Sequence, residues 1–131
     1  ASGNPCVMDS VEKLGERWYL IFKTLSAGPR RQIIGSLLES EPDQQLLLPE
    51  GANMPEYRLD PEVLHTNLVH EHLPMMAHAE FIEWEHEPFS VKRGPRFEEV
   101  AAVLLAIDAY DDFPEHLIEE CHFHGQNSVT L

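Results

Sequence analysis

Between His78 and Ile82 the apolar residues of this chain change their spacing, and few folds accommodate the change. Before it, Leu64, Leu68, Val69, Leu73 and Met76 recur at helical intervals and predict a helix over 61–79. After it, Phe81-Ile82-Glu83-Trp84 and Phe89-Ser90-Val91-Lys92 flank Glu85-His86-Glu87-Pro88, the pattern of a β-hairpin. Helical spacing returns over 96–110, where Phe97, Val100, Leu104 and Ile107 form a stripe widened by Val103, Ala106 and Tyr110. A lone two-stranded hairpin is marginal in water, so this one must pack against the helices on either side of it.

Upstream, Val11, Leu14, Trp18, Ile21, Phe22 and Leu25 predict a first helix over 9–27, with Asp9 and Glu12 placed as a capping box. Gly28 ends it, and Pro29 suits the first turn of a second helix over 29–40 that buries Ile33, Ile34, Leu37 and Leu38. Leu46–Leu48 reads as a small strand or an apolar plug, and 49–60, with its prolines and glycine, as an irregular connection. Asp111-Asp112-Phe113-Pro114 breaks the last long helix before an acidic segment and a polar tail. The expected fold class is mainly α with a small β-hairpin.

With 131 residues, 43% of them apolar, the chain has enough material for one domain with its own core. Its 23 acidic and 9 basic residues leave a net charge of −14. Self-repulsion of that size weakens a compact state, but in molar salt the Debye length shrinks to about 3 Å. An acidic, lysine-poor surface on an ordinary core therefore points to a salty, halophilic cytoplasm. No apolar run approaches the ~18 residues of a membrane span, the first residues lack a signal-peptide layout, and Cys6 and Cys121 make no disulfide framework. These readings predict a cytoplasmic protein, with Met8 nearer its natural start.

The segment "HEHLPMMAHAEFIEWEHEPFSVKRGPRFEEVAAVL" resembles acidic haloarchaeal winged helix-turn-helix proteins, within the ArsR/MarR-like class of transcriptional regulators. The resemblance is specific over 70–104 and architectural over the rest of 10–110. It implies a winged-helix domain over 9–95, a C-terminal helix over 96–120 and a tail over 121–131. It also implies a recognition helix at about 61–79 and a wing at about 81–93, with double-stranded DNA as the partner. A helix of this kind fits the major groove, where polar side chains on its outer face reach base edges. Carried over, His65, Thr66, Asn67 and His70 are the base-reading candidates, and Lys92, Arg93 and Arg96 the backbone contacts. Arg30 and Arg31, at a helix start, are a second possible phosphate contact. Here Glu80 stands where the family has glycine before the first wing strand, so the turn is made without glycine's freedom. The first helix of the motif falls within 42–58, where periodicity is absent, and the recognition helix carries Glu62 and Glu71.

The histidines invite a metal reading that the spacing does not favour. His70 and His78 stand about 12 Å apart along a helix, too far to share one tetrahedral ion, and His72 reads as a packing residue. Pro74 removes one helical hydrogen bond, to the carbonyl of His70, and predicts a kink. Cys121, His122 and His124, with His116 upstream, match no strong zinc pattern. No phosphate loop or nucleophile elbow is present, so no catalytic residue and no cofactor is assigned.

Trp18, Tyr19, Phe22, Val103 and Tyr110 add more apolar surface than a small core needs, and they are the expected face of a homodimer. Its two-fold axis would set two recognition helices about one DNA turn apart. Two other readings stand beside DNA binding: a winged helix reused for protein–protein contact, and a metal- or ligand-sensing switch using the tail.

Overall fold

The computed structural model describes residues 5–54 and 58–117, with side chains from Ser10 onward. In chain order they form α1 (Pro5–Leu25), α2 (Gly28–Leu38), β1 (Leu46–Leu47), a 3₁₀ turn (Glu50–Ala52), α3 (Pro61–Asn67), a π-helical turn (Leu68–His72), α4 (Leu73–His78), β2 (Ile82–His86), β3 (Phe89–Arg93), α5 (Phe97–Ala109) and a last 3₁₀ turn (Glu115–Leu117). The chain is thus mostly helical with a small three-stranded antiparallel sheet in the order β1-β3-β2.

The hairpin is tighter than its sequence suggested. Cross-strand pairing continues through Glu85↔Ser90 to His86↔Phe89, leaving Glu87 and Pro88 as the turn rather than all of 85–88. Leu46 and Leu47 join as a third strand opposite Val91 and Ser90, and Leu48 enters the core. In the connection expected to be irregular, Glu50–Ala52 makes a single turn that buries Ala52.

Most of the core follows the predicted stripes. Ile33, Ile34 and Leu37 of α2, Leu64, Leu68, Leu73 and Met76 of the third helical segment, and Phe97, Val100 and Leu104 of α5 are buried together with Phe81, Ile82 and Val91. The C-terminal helix, expected over 96–120, runs only over Phe97–Ala109 and shares this core. The α1 stripe divides instead. Ile21 and Leu25, joined by Leu20, are buried, whereas Val11, Leu14, Trp18 and Phe22 stay 48% to 64% exposed. Asp9 lies inside α1, which already runs from Pro5, so the expected capping box does not start that helix.

The kink expected at Pro74 takes the form of the π-turn that precedes it. Leu73 donates its N–H to the carbonyl of Leu68, five residues back, and the widened turn receives a proline that lacks a donor. Asp60 caps the start of α3 by accepting the N–H of Val63 at 3.3 Å, and Pro61 follows in the first turn. Glu80, after α4, sits at φ 68°, in the left-handed region that favours glycine. Gly94 packs directly against that turn, its N–H bonded to the carbonyl of Phe81 at 2.9 Å.

His72 is buried, and its Nδ1 accepts from Nη1 of Arg30 at 2.9 Å. Burial, and then the charge of Arg30, hold its pKa below the usual 6.5, with Glu71 acting weakly in the opposite direction. The folded state therefore keeps His72 neutral where the unfolded chain begins to bind a proton. Its stabilising contribution is complete above pH 6.5 and is lost as the pH falls through the lowered folded pKa, by at most about 1.4 kcal/mol per pH unit. Comparing thermal unfolding of wild type and His72→Gln between pH 8 and 5 isolates the effect. The wild type should lose the larger share of its stability on acidification, because glutamine accepts the same bond without titrating.

Candidate functional site

On α3 and the π-turn, Val63, Thr66, Asn67 and His70 recur at helical intervals, and all are exposed. Asp60 and Pro61 start the helix, and buried Leu64 and Leu68 turn this face outward. Among the described residues, the side chains of Thr66, Asn67 and His70 make no hydrogen bond to the protein, which leaves their donors and acceptors open to a partner. Glu62 and Glu71 are exposed on the same helical segment.

His65 is exposed, as expected, but it also has a partner within the protein. Its ring lies 4.7 Å from that of Phe89, fastening α3 to the hairpin. Phe89 meets Trp84 at 6.4 Å, and Trp84 meets His86 at 4.7 Å. These four rings join helix and hairpin into one surface. Alternation along the strands puts Trp84, His86 and Phe89 on the inner side, and it puts Glu83, Glu85 and Lys92 on the outer side.

The cations expected to meet phosphate are already engaged within the protein. Arg93 is half-buried, and its guanidinium donates to the carbonyls of Leu37 at 2.8 Å and Ser40 at 3.0 Å, closing the end of α2. It also stacks over Phe97 at 4.8 Å. Arg30 donates to the carbonyls of Thr24 and Lys23 at 3.2 and 2.9 Å, and Arg31 to that of Leu25 at 2.6 Å, closing the end of α1. These three arginines satisfy carbonyls that a helix end leaves without partners, where a positive charge also meets the negative end of the helix dipole. Arg30, Arg31 and Arg93 therefore close helix ends within the protein, a role the sequence reading did not assign them. Lys92 stands 3.8 Å from Glu83, and Arg96 pairs with Glu80 and Glu99 at 3.9 and 3.4 Å.

Arg17 went unnoticed in the sequence. It donates to Ala79 O at 2.6 Å and Glu99 Oε1 at 2.8 Å, and its guanidinium lies 5.2 Å from the centre of the Phe81 ring. It thus ties α1 to the end of α4 and to α5. Its partners lie 62 and 82 residues away in the chain, so the local sequence gives no sign of them.

The expected dimer residues are exposed, except for half-buried Val103. Trp18 stacks on Phe22 at 5.7 Å, and Trp18, Val103 and Tyr110 line one apolar cleft of about 530 Å³ with Ala106, Ile107 and Phe113. Tyr19 does not line it, and Lys23 lies over its ring at 5.7 Å.

Among the described residues, no three His, Cys, Asp or Glu side chains gather as a metal site, and no helix is long and apolar enough to cross a membrane. Cys121, His122 and His124 lie outside the described residues. Compared with protein-family models, curated proteins and solved structures, the chain matches none.

Proposed function

We propose that the chain is a DNA-binding transcriptional regulator of winged-helix type that reads DNA from the outer face of α3. The observation that carries this reading is the exposed set Thr66, Asn67 and His70 on a helix held rigidly by core and hairpin. Asn67 has the donor–acceptor pair that matches adenine N6 and N7, and Thr66 suits a thymine methyl group. Because the arginines are engaged internally, specificity rests on hydrogen bonds and shape, which suits a halophilic cytoplasm where counterion release contributes little. Selection of genomic fragments in molar KCl should enrich a defined sequence, and Asn67→Ala should weaken binding to it by about tenfold or more. No enrichment in any fragment would remove this reading.

The protein acts as a homodimer in this proposal, with a second copy covering the α1–α5 cleft. Val11, Leu14, Trp18, Tyr19, Phe22 and Tyr110 expose on the order of 600 Å² together, close to the ~800 Å² each partner contributes to a standard interface. Trp18→Ala is expected to weaken self-association by about 30-fold, measured by sedimentation equilibrium. An unchanged monomer–dimer constant would count against this interface.

One observation favours a second reading, in which the winged helix contacts another protein. Glu83, Glu85 and Glu87 leave the hairpin acidic, and its cations have carboxylate or carbonyl partners. Stable capture of one protein through α3, together with failure of DNA selection, would favour this alternative.

A further inference from the structure

On the first turn of α3, Val63 leaves 54% of its surface in water, although its neighbour Leu64 is fully buried. A lone exposed valine is ordinary on a protein surface, so the side chains beside it decide its meaning. Val63, Thr66 and Asn67 fall within an arc of roughly 100° on the helix and cover about 6 Å of its axis. That length is close to two base-pair steps. Asp60 holds the turn through the Val63 N–H at 3.3 Å, and buried Leu64 and Leu68 fix the opposite face. From 61 to 78 the chain has no lysine or arginine, so the commonest readers of guanine are missing from this helix. The strip instead offers one amide and two methyl-bearing side chains, with Glu62 and Glu71 exposed on the same segment.

We infer that Val63 is a specificity-determining residue, and that the DNA taken by this face carries a run of about three A·T pairs read through thymine methyl groups. The inference rests on the proposed reading of DNA by α3. Asn67 bonds the adenine of one pair, while Val63 and the Thr66 methyl group cover the 5-methyl groups of neighbouring thymines. A G·C pair at the same place removes the methyl group and presents the Asn67 amide with the wrong order of donors and acceptors. Contact between methyl groups takes apolar surface out of water and releases no counterions. It therefore persists in molar salt, where phosphate contacts contribute least.

The test uses the full chain and the duplex it selects from genomic fragments in molar KCl. Thymines of the selected core are replaced one at a time by deoxyuridine, which lacks only the methyl group, and affinity is read by fluorescence anisotropy. The core should hold about three consecutive A·T pairs, and two of the replacements should each weaken binding about fourfold. Val63→Ser should weaken binding to the thymine duplex and cancel the penalty of one replacement while leaving the other. Its thermal midpoint should match that of the wild type, since the side chain is exposed. Should the variant fail to fold, the deoxyuridine series on the wild type decides alone. A selected core of G·C pairs, an affinity indifferent to every deoxyuridine, or both penalties intact in Val63→Ser would overturn the inference and leave DNA reading by α3 in place. Failure to enrich any fragment would remove that reading, and the thymine assignment with it.

Discussion

Arg30→Ala is expected to lower the unfolding free energy by about 3 kcal/mol, measured as a denaturant midpoint in molar KCl. The guanidinium is buried and donates to the carbonyls of Thr24 and Lys23, to the hydroxyl of Ser26 at 3.2 Å and to His72 Nδ1. Each bond contributes about 1 kcal/mol net, and the cost of burying the charge offsets part of the sum. Truncation also removes the donor to Thr24 O and to a buried imidazole. Arg30→Lys keeps the charge but not the planar fork, so it should recover less than half of the loss. Full recovery would mean that charge, not geometry, holds the two helices to the π-turn.

Gly94→Ala should cost a similar amount, about 3 kcal/mol, for a steric reason. A Cβ there would stand 2.7 Å from both Glu80 O and Ile82 N, and 2.9 Å from Phe81 C, all of them backbone atoms. Relief would stretch two bonds that close the turn, Gly94 N–H to Phe81 O at 2.9 Å and Arg96 N–H to Glu80 O at 2.8 Å. Gly15 provides the control. It lies within α1 with nothing inside 4 Å of its Cβ position, so Gly15→Ala is expected to gain up to about 1 kcal/mol. The same substitution thus has opposite signs at two glycines, and equal effects would contradict the packing described at Gly94.

Features governed by local periodicity were legible in the sequence. The change of spacing at 79–81 located the hairpin, and the apolar stripes of α2, α3 and α5 named most of the core. Glu80 is the one non-glycine residue with positive φ among those described. Features set by distant contacts were not legible. Arg30, Arg31 and Arg93 read as surface cations because the carbonyls they cap belong to neighbouring elements. For Arg93 those carbonyls are more than fifty residues away. The contact of His65 with Phe89 was not legible either, because Phe89 lies across the hairpin. The α1 stripe could not be divided from sequence alone, since a helix longer than its core shows the same spacing on covered and uncovered turns. The resemblance pointed to Lys92, Arg93 and Arg96 as a DNA contact, and it gave no sign that Arg30, Arg31 and Arg93 close helix ends.

That use of the arginines bears on how the protein would meet DNA. An ordinary binder neutralises phosphates with free cations and loses affinity steeply as salt rises, with a log–log slope near −0.9 per phosphate contacted. Here few cations are available for such contacts, and a net charge of −14 must be brought towards another polyanion. Salt should help by screening that repulsion. The most direct test is the affinity of the full chain for its selected fragment as KCl is raised from about 0.2 M to 2 M. The predicted result is an affinity that stays level or rises with salt and depends on Asn67. A steep fall with salt, or binding indifferent to Asn67→Ala, would contradict a readout built on the exposed face of α3.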